Sequence, residues 1–200
     1  PYLMETRDGA SVLFDRYVNA EPLLAYLEDL REKGDFDGNI THAVVAAAFV
    51  GLCENPRMNR FVSGYRLYKR KGRSITFSMK RQKGDRKSKV AVVKHPMKDG
   101  ETFRSLCETI NAKINVERSG KETYVDKELK LFDKIRRPLL RFAVNAFRVF
   151  DYFNLLPKSF IDNDGMFTSI FVANLGSLKM GAGYHHLYEW GNCPLFIMVG

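Results

Sequence analysis

Met166-Phe167-Thr168-Ser169-Ile170-Phe171-Val172 runs into Ala173-Asn174-Leu175-Gly176, and the reading of this stretch decides the fold. The first seven residues are aromatic, β-branched or small, a composition that favours a strand. Asn174, Leu175 and Gly176 then supply turn chemistry at its end. A second apolar strand follows in Cys193-Pro194-Leu195-Phe196-Ile197-Met198-Val199-Gly200.

Working outward, the chain alternates strand and helix signals. Residues 12–18 are β-prone, and 21–31 place apolar residues at helical spacing with Pro22 in the first turn. Gly34-Asp35-Phe36-Asp37-Gly38-Asn39 reads as a turn, with Thr41 as the expected cap of a helix carrying His42 to Cys53. That helix is apolar nearly all round, which predicts burial, and His42 reads as a satisfied terminal residue. Strand signals follow at 65–68, 74–79 and 90–93, then a helix over 102–115 closed by Arg118-Ser119-Gly120-Lys121. The order predicts one α/β domain over 1–200, a two-layer sandwich of a mixed sheet covered by helices.

Composition agrees with a folded chain: 45% hydrophobic, 28% charged, and no apolar run long enough to span a bilayer. The start of the chain has no apolar leader segment. Cys53, Cys107 and Cys193 are widely spaced and odd in number, with no His at ligand spacing. They read as three small buried hydrophobes in a reducing compartment, with no structural metal.

The net charge of +9 is unevenly placed, since 57–98 holds 15 Lys or Arg against the single acid Asp85. Arg70, Arg73 and Lys80 lie in its centre, where strands joined by Gly-containing turns are expected. Such a segment is either a solvated face or an anion site, and charge alone does not choose among coenzyme A, anionic lipid and nucleic acid. Nucleic acid is the least supported, because no recognised motif accompanies the patch.

Residues 136–157 form a separate puzzle. Arg141, Asn145, Arg148 and Asp151 recur at spacings of four, three and three, one narrow stripe of a helix whose other faces are aromatic or aliphatic. This helix fits the core, a subunit interface, the wall of an acyl-chain pocket, or a membrane surface, for which Lys134, Arg136 and Arg137 are suited.

The motifs, taken together, resemble a known superfamily. Phe167 to Gly176 and Pro194 to Gly200 are similar to the "FTISNLG" and "P..AILGVG" strands of the catalytic domain of dihydrolipoyl acyltransferases, which share a fold with chloramphenicol acetyltransferase. Ile40 to Phe49, followed by Asn55-Pro56-Arg57-Met58-Asn59, resembles the family's helix ending in "P..N", and Arg73 to Lys80 its "vniGvAV" strand. The likeness is weakest over 110–160. It implies an acyltransferase using coenzyme A or acyl-CoA as co-substrate, with an unknown thiol, hydroxyl or amine acceptor, in a homotrimer. It also implies a general base in an "HxxxDG" motif beyond Gly200, so the expected domain lacks its C-terminal segment.

The family's oxyanion-stabilising serine aligns with Ala173, which has no donor. Thr168 and Ser169 are the nearest upstream hydroxyls and Ser177 lies just after, while Asn174 and Gly176 match the family's substrate side. His185 and His186 fall near the expected substrate channel, with Glu189 placed to orient one of them. These histidines read either as catalytic groups or as packing residues of a loop. The rival expectation is a catalytically reduced relative kept as a binding or interaction module. The expected location is the cytoplasm or the inner membrane surface.

Overall fold

The architecture is seen in a computed structural model that describes residues 2–4, 6–34, 37–81, 90–119, 126, 132, 134–187 and 189–200. The helices are α1 (Glu21–Glu32), α2 (Ile40–Glu54), α3 (Phe103–Arg118), α4 (Arg137–Tyr152) and α5 (Lys158–Asn163). The strands are β1 (Arg60–Ser63), β2 (Arg66–Lys69), β3 (Arg73–Lys80), β4 (Val90–Met97), β5 (Ile170–Asn174) and β6 (Leu195–Val199). β1 and β2 form a hairpin, and the main sheet has the order β4-β3-β5-β6. β3 pairs antiparallel with β4 and parallel with β5, and β5 pairs parallel with β6, so the sheet is mixed as expected.

The expected strand at 12–18 does not form: those residues are exposed and lack regular structure. β-propensity there finds no partner strand, and a lone strand leaves its backbone donors and acceptors unpaired. Conversely, Arg60–Ser63 gave no strand signal yet pairs with β2 across a turn in which Gly64 and Tyr65 both take positive φ. The side chain a residue would bring at Gly64 would meet the Tyr152 carbonyl at the end of α4.

One face of the sheet carries the main core. Ile75 and Phe77 of β3, Ile170 and Val172 of β5, and Val93 of β4 pack against Val45 and Leu52 of α2 and Leu106 and Ile110 of α3. Alternation along each strand sends the intervening residues to the other face. There a smaller cluster of Phe171, Leu187 and Cys193 is joined by Met166 and Phe196.

α2 is capped by Asn39 rather than Thr41: the Asn39 side chain accepts from the His42 backbone N–H, and the His42 ring accepts in return from the Asn39 N–H. His42 is therefore a capping residue, as its position suggested. Burial of α2 is one-sided, because a two-layer arrangement covers only the face toward the sheet, and Val50 and Cys53 remain exposed. Cys107 and Cys193 are buried, so the expectation of three buried cysteines holds for two. Burial pushes their thiols up, to about 12 and about 11, away from nucleophilic use.

Candidate functional site

Parallel pairing brings the C-terminal ends of β3, β5 and β6 to one edge of the sheet. The register sets Ala173 between Ser78 on β3 and Met198 on β6. Registered neighbours point the same way, so these three side chains share the face opposite α2 and α3. Ser78 places a hydroxyl on the strand beside the Ala173 methyl, about 5 Å away by the spacing of paired strands.

The chain after β5 turns back over this face. Asn174 holds the turn: its side-chain amide donates to Thr41 Oγ1 at 2.9 Å, and its carbonyl oxygen accepts from the Ser177 N–H at 3.0 Å. Gly176 is needed for close approach, since a Cβ there would stand 3.1 Å from the Gly200 carbonyl carbon. Gly183 N–H then reaches the Met198 sulfur at 3.1 Å, and the His185 ring lies edge-on to Phe196, with centroids 5.5 Å apart. Phe196 is two residues before Met198 on the same side of β6, so His185 stands roughly 7 Å along the strand from the Ala173 level.

His186 turns elsewhere, with Nδ1 3.3 Å from Asp8 Oδ1, both side chains more than half exposed. Glu189 accepts from the Arg7 backbone N–H at 2.8 Å, so the carboxylate beside His186 is Asp8 and not Glu189. Thr168 and Ser169 are completely buried. Thr168 Oγ1 donates to the Ser74 carbonyl at 2.8 Å, and Ser169 Oγ accepts from the Ser74 N–H at 3.2 Å. They tie the entry of β5 to β3, at the opposite end from Ala173, so Ser169, expected as a catalytic hydroxyl, and Thr168, expected as a substrate contact, both sit buried against Ser74.

Arg70, Arg73 and Lys80 do not converge on one anion. Arg73 and Lys80 bound the same eight-residue strand, about 23 Å apart. Arg73 pairs with Asp99 and lies over the Phe49 ring. The Arg70 guanidinium stacks on Phe61, 4.8 Å from its centroid, and points at the Gly191 and Asn192 carbonyls. Of the three, Lys80 alone lies at the Ser78 end. Arg81 beside it is bound to Glu117 and Asp126. Residues 82–89, the rest of the expected basic patch, lie outside the described residues. Among the described residues, no group of three or more His, Cys, Asp or Glu could hold a metal ion.

Sequence reasoning missed Ser78, Lys94 and His95. Ser78 has no local signal, since only the strand order sets it beside Ala173. Lys94 Nζ donates to the Ile161 and Asp164 carbonyls at 2.6 and 3.0 Å, stapling α5 to the sheet, and burial lowers its pKa to about 8. His95 is buried on the helix-covered side, its Nε2 3.1 Å from Glu101 Oε1 at the edge of an open cleft of about 400 Å³.

Burial lowers the pKa of both His42 and His95, and for His95 the Glu101 hydrogen bond opposes this. The folded imidazoles thus stay neutral where unfolded ones, near 6.5, take up a proton. Their contribution to stability is complete above that value and is lost as pH falls below it. Urea midpoints are therefore expected to drop between about pH 7.5 and about pH 5.5, and His95→Gln is expected to flatten that drop. An equally steep loss in His95→Gln and in His42→Gln would show that carboxylates set the slope instead.

No protein-family model matches the chain, and no curated protein matches it in sequence. Among solved structures, the fold is shared with a probable dihydrolipoamide acetyltransferase from Listeria monocytogenes 4b F2365, at a TM-score of 0.55 and 13% identity. The match covers 88% of this chain and 58% of that one, so the chain spans little more than half the length of its neighbour. The α/β sandwich is thus acyltransferase-like in fold, and the sequence has diverged far from that of the acetyltransferase.

Proposed function

We propose that this chain serves acyl transfer between coenzyme A and a thiol, hydroxyl or amine acceptor, with the Ser78 hydroxyl taking the part that Ala173 cannot. The observation that carries this reading is the β3–β5 register, which pairs Ser78 with Ala173 on the face where His185 also lies. In the reaction, the acceptor X–H adds to the thioester carbonyl carbon and gives its proton to a base, for which His185 is the described candidate. The carbonyl oxygen becomes an oxyanion, to which Ser78 Oγ–H donates. The C–S bond then breaks, and the departing thiolate takes the proton back as free coenzyme A thiol. Lys80 suits the phosphates of coenzyme A at this end of the sheet. A homotrimer, expected from the resemblance, belongs to the same reading.

The Ala173 methyl favours one second reading, an acyltransferase fold that binds acyl-CoA without turnover. Acetyl-CoA incubated with small thiol, amine and hydroxyl acceptors, followed by chromatography of free coenzyme A, separates the two, with calorimetry reporting binding. Coenzyme A release supports transfer, and saturable binding without release supports the second reading. Neither release nor binding would sink both.

A further inference from the structure

α4 leaves the body of the protein with its apolar side open. It has no buried residue, yet the sixteen residues include Leu139, Phe142, Phe147, Val149 and Phe150. Leu139, Phe142, Ala146, Val149, Phe150 and Phe153 follow one another at helical spacing and so form a continuous stripe about 21 Å long. Phe142 is 71% exposed, and Leu139 and Phe153 are each 61% exposed. The helix is held to the protein along a different side. Phe147 stacks on Phe160 of α5 at 5.3 Å, and the carbonyls of Asp151 and Tyr152 accept from Ser63 Oγ of the β1–β2 hairpin.

The charged side of α4 lies about 140° round the helix axis from the middle of this stripe, the arrangement of an amphipathic helix with separate apolar and basic faces. Arg137, Arg141 and Arg148 share one side of the helix and, with Leu140, Val144 and Asn145, line an open groove of about 360 Å³. From 134 to 158 the sequence has six Lys or Arg against one acid, Asp151. Burial raises the Asp151 pKa above the ordinary carboxylate range, while the Arg70 charge opposes the shift. Tyr2 and Tyr65 stack at 5.3 Å beside Tyr152, and they put amphipathic rings next to the end of the stripe.

We propose that α4 is a peripheral docking surface for an anionic phospholipid membrane: the stripe from Leu139 to Phe153 enters the headgroup–acyl boundary, and Arg137, Arg141 and Arg148 meet lipid phosphates. Charge decides for lipid over a second copy of this chain. A self-complementary contact would set two strongly basic segments, each with a single acid, side by side, whereas an anionic bilayer offsets that charge and accepts the aromatic stripe as well. The helix lies on the surface and does not cross it, since no described helix is long and apolar enough to span a bilayer.

The test is co-sedimentation of the purified chain with extruded vesicles of phosphatidylcholine alone and of phosphatidylcholine mixed with phosphatidylglycerol. Binding is expected only to the anionic vesicles and is expected to weaken as salt is raised. Arg137→Gln/Arg141→Gln/Arg148→Gln is expected to lower partitioning by about a hundredfold, each basic residue near such a surface contributing roughly fivefold. Phe142→Asp is expected to abolish it, and both variants should keep the circular dichroism and urea midpoint of the parent, because these side chains are exposed. Equal binding to neutral and anionic vesicles, or no binding to either, overturns the proposal. So does an oligomer, seen in sedimentation velocity, that Phe142→Asp dissolves while vesicles make no difference.

Discussion

Ser78→Ala is expected to lower coenzyme A release from acyl-CoA by about a hundredfold or more without changing the unfolding midpoint. A single well-placed donor to a tetrahedral oxyanion is worth on the order of 10²–10³ in turnover, since it acts only where charge develops. Ser78 is the hydroxyl in register with Ala173, and it is half-buried on the face opposite the main core, so its removal leaves no cavity in that core. Moving the hydroxyl one strand over, in Ser78→Ala/Ala173→Ser, is expected to restore much of the rate. A rate unchanged by Ser78→Ala, in a protein that does release coenzyme A, would take Ser78 out of the reaction and leave the donor unassigned. The binding-module reading predicts no rate for the parent protein or for Ser78→Ala, and a rate only where Ala173→Ser is present.

Phe77→Ala, one residue away, is expected to do the opposite: destabilise the fold by about 3–5 kcal/mol, the usual cost of emptying a buried aromatic site. Phe77 is 2% exposed in the middle of the four-stranded sheet, between Val93 of β4 and Val172 of β5. Its ring meets the main core under α2 and α3, where little can collapse to refill the space. A urea titration of wild type and variant reads the difference directly. A loss under about 1 kcal/mol would mean that the core on that side is loosely packed and that β3 is held mainly by its ladder. The contrast between consecutive residues follows from the strand period of two, which sends Phe77 into the main core and Ser78 to the opposite face.

Local pattern foresaw most of the elements. α1, α2, α3 and the long helix at 137–152 were legible from apolar spacing, and β3, β4, β5 and β6 from β-prone runs. Failure came where strand formation depends on a partner. Residues 12–18 have the composition of a strand and no neighbour to pair with, while Arg60–Ser63, a run of only four with Phe61 and Val62 at its centre, is a strand because the hairpin turn returns β2 to it. The three cations named for the expected anion site are spread apart for a similar reason. Proximity in sequence suggested that Arg70, Arg73 and Lys80 act together, but an extended strand carries its two ends apart, and Arg70 and Arg73 found protein partners on the way.

For the site, the sequence located the turn at Asn174-Leu175-Gly176, the alanine at 173 where the resemblance expects a serine, and the loop histidines. It did not reveal that Thr168 and Ser169 bond to Ser74, or that the two histidines part company, one toward Phe196 and one toward Asp8. Alternating polarity determined by itself that this chain builds an α/β domain with an amphipathic helix carrying a basic stripe, because those periods are properties of consecutive residues. Only the tertiary structure decided that Ser78 stands beside Ala173 and that the apolar side of α4 is left open. Strand order, parallel register and the packing of one element on another join residues from opposite halves of the chain, and no local period encodes which of them will meet.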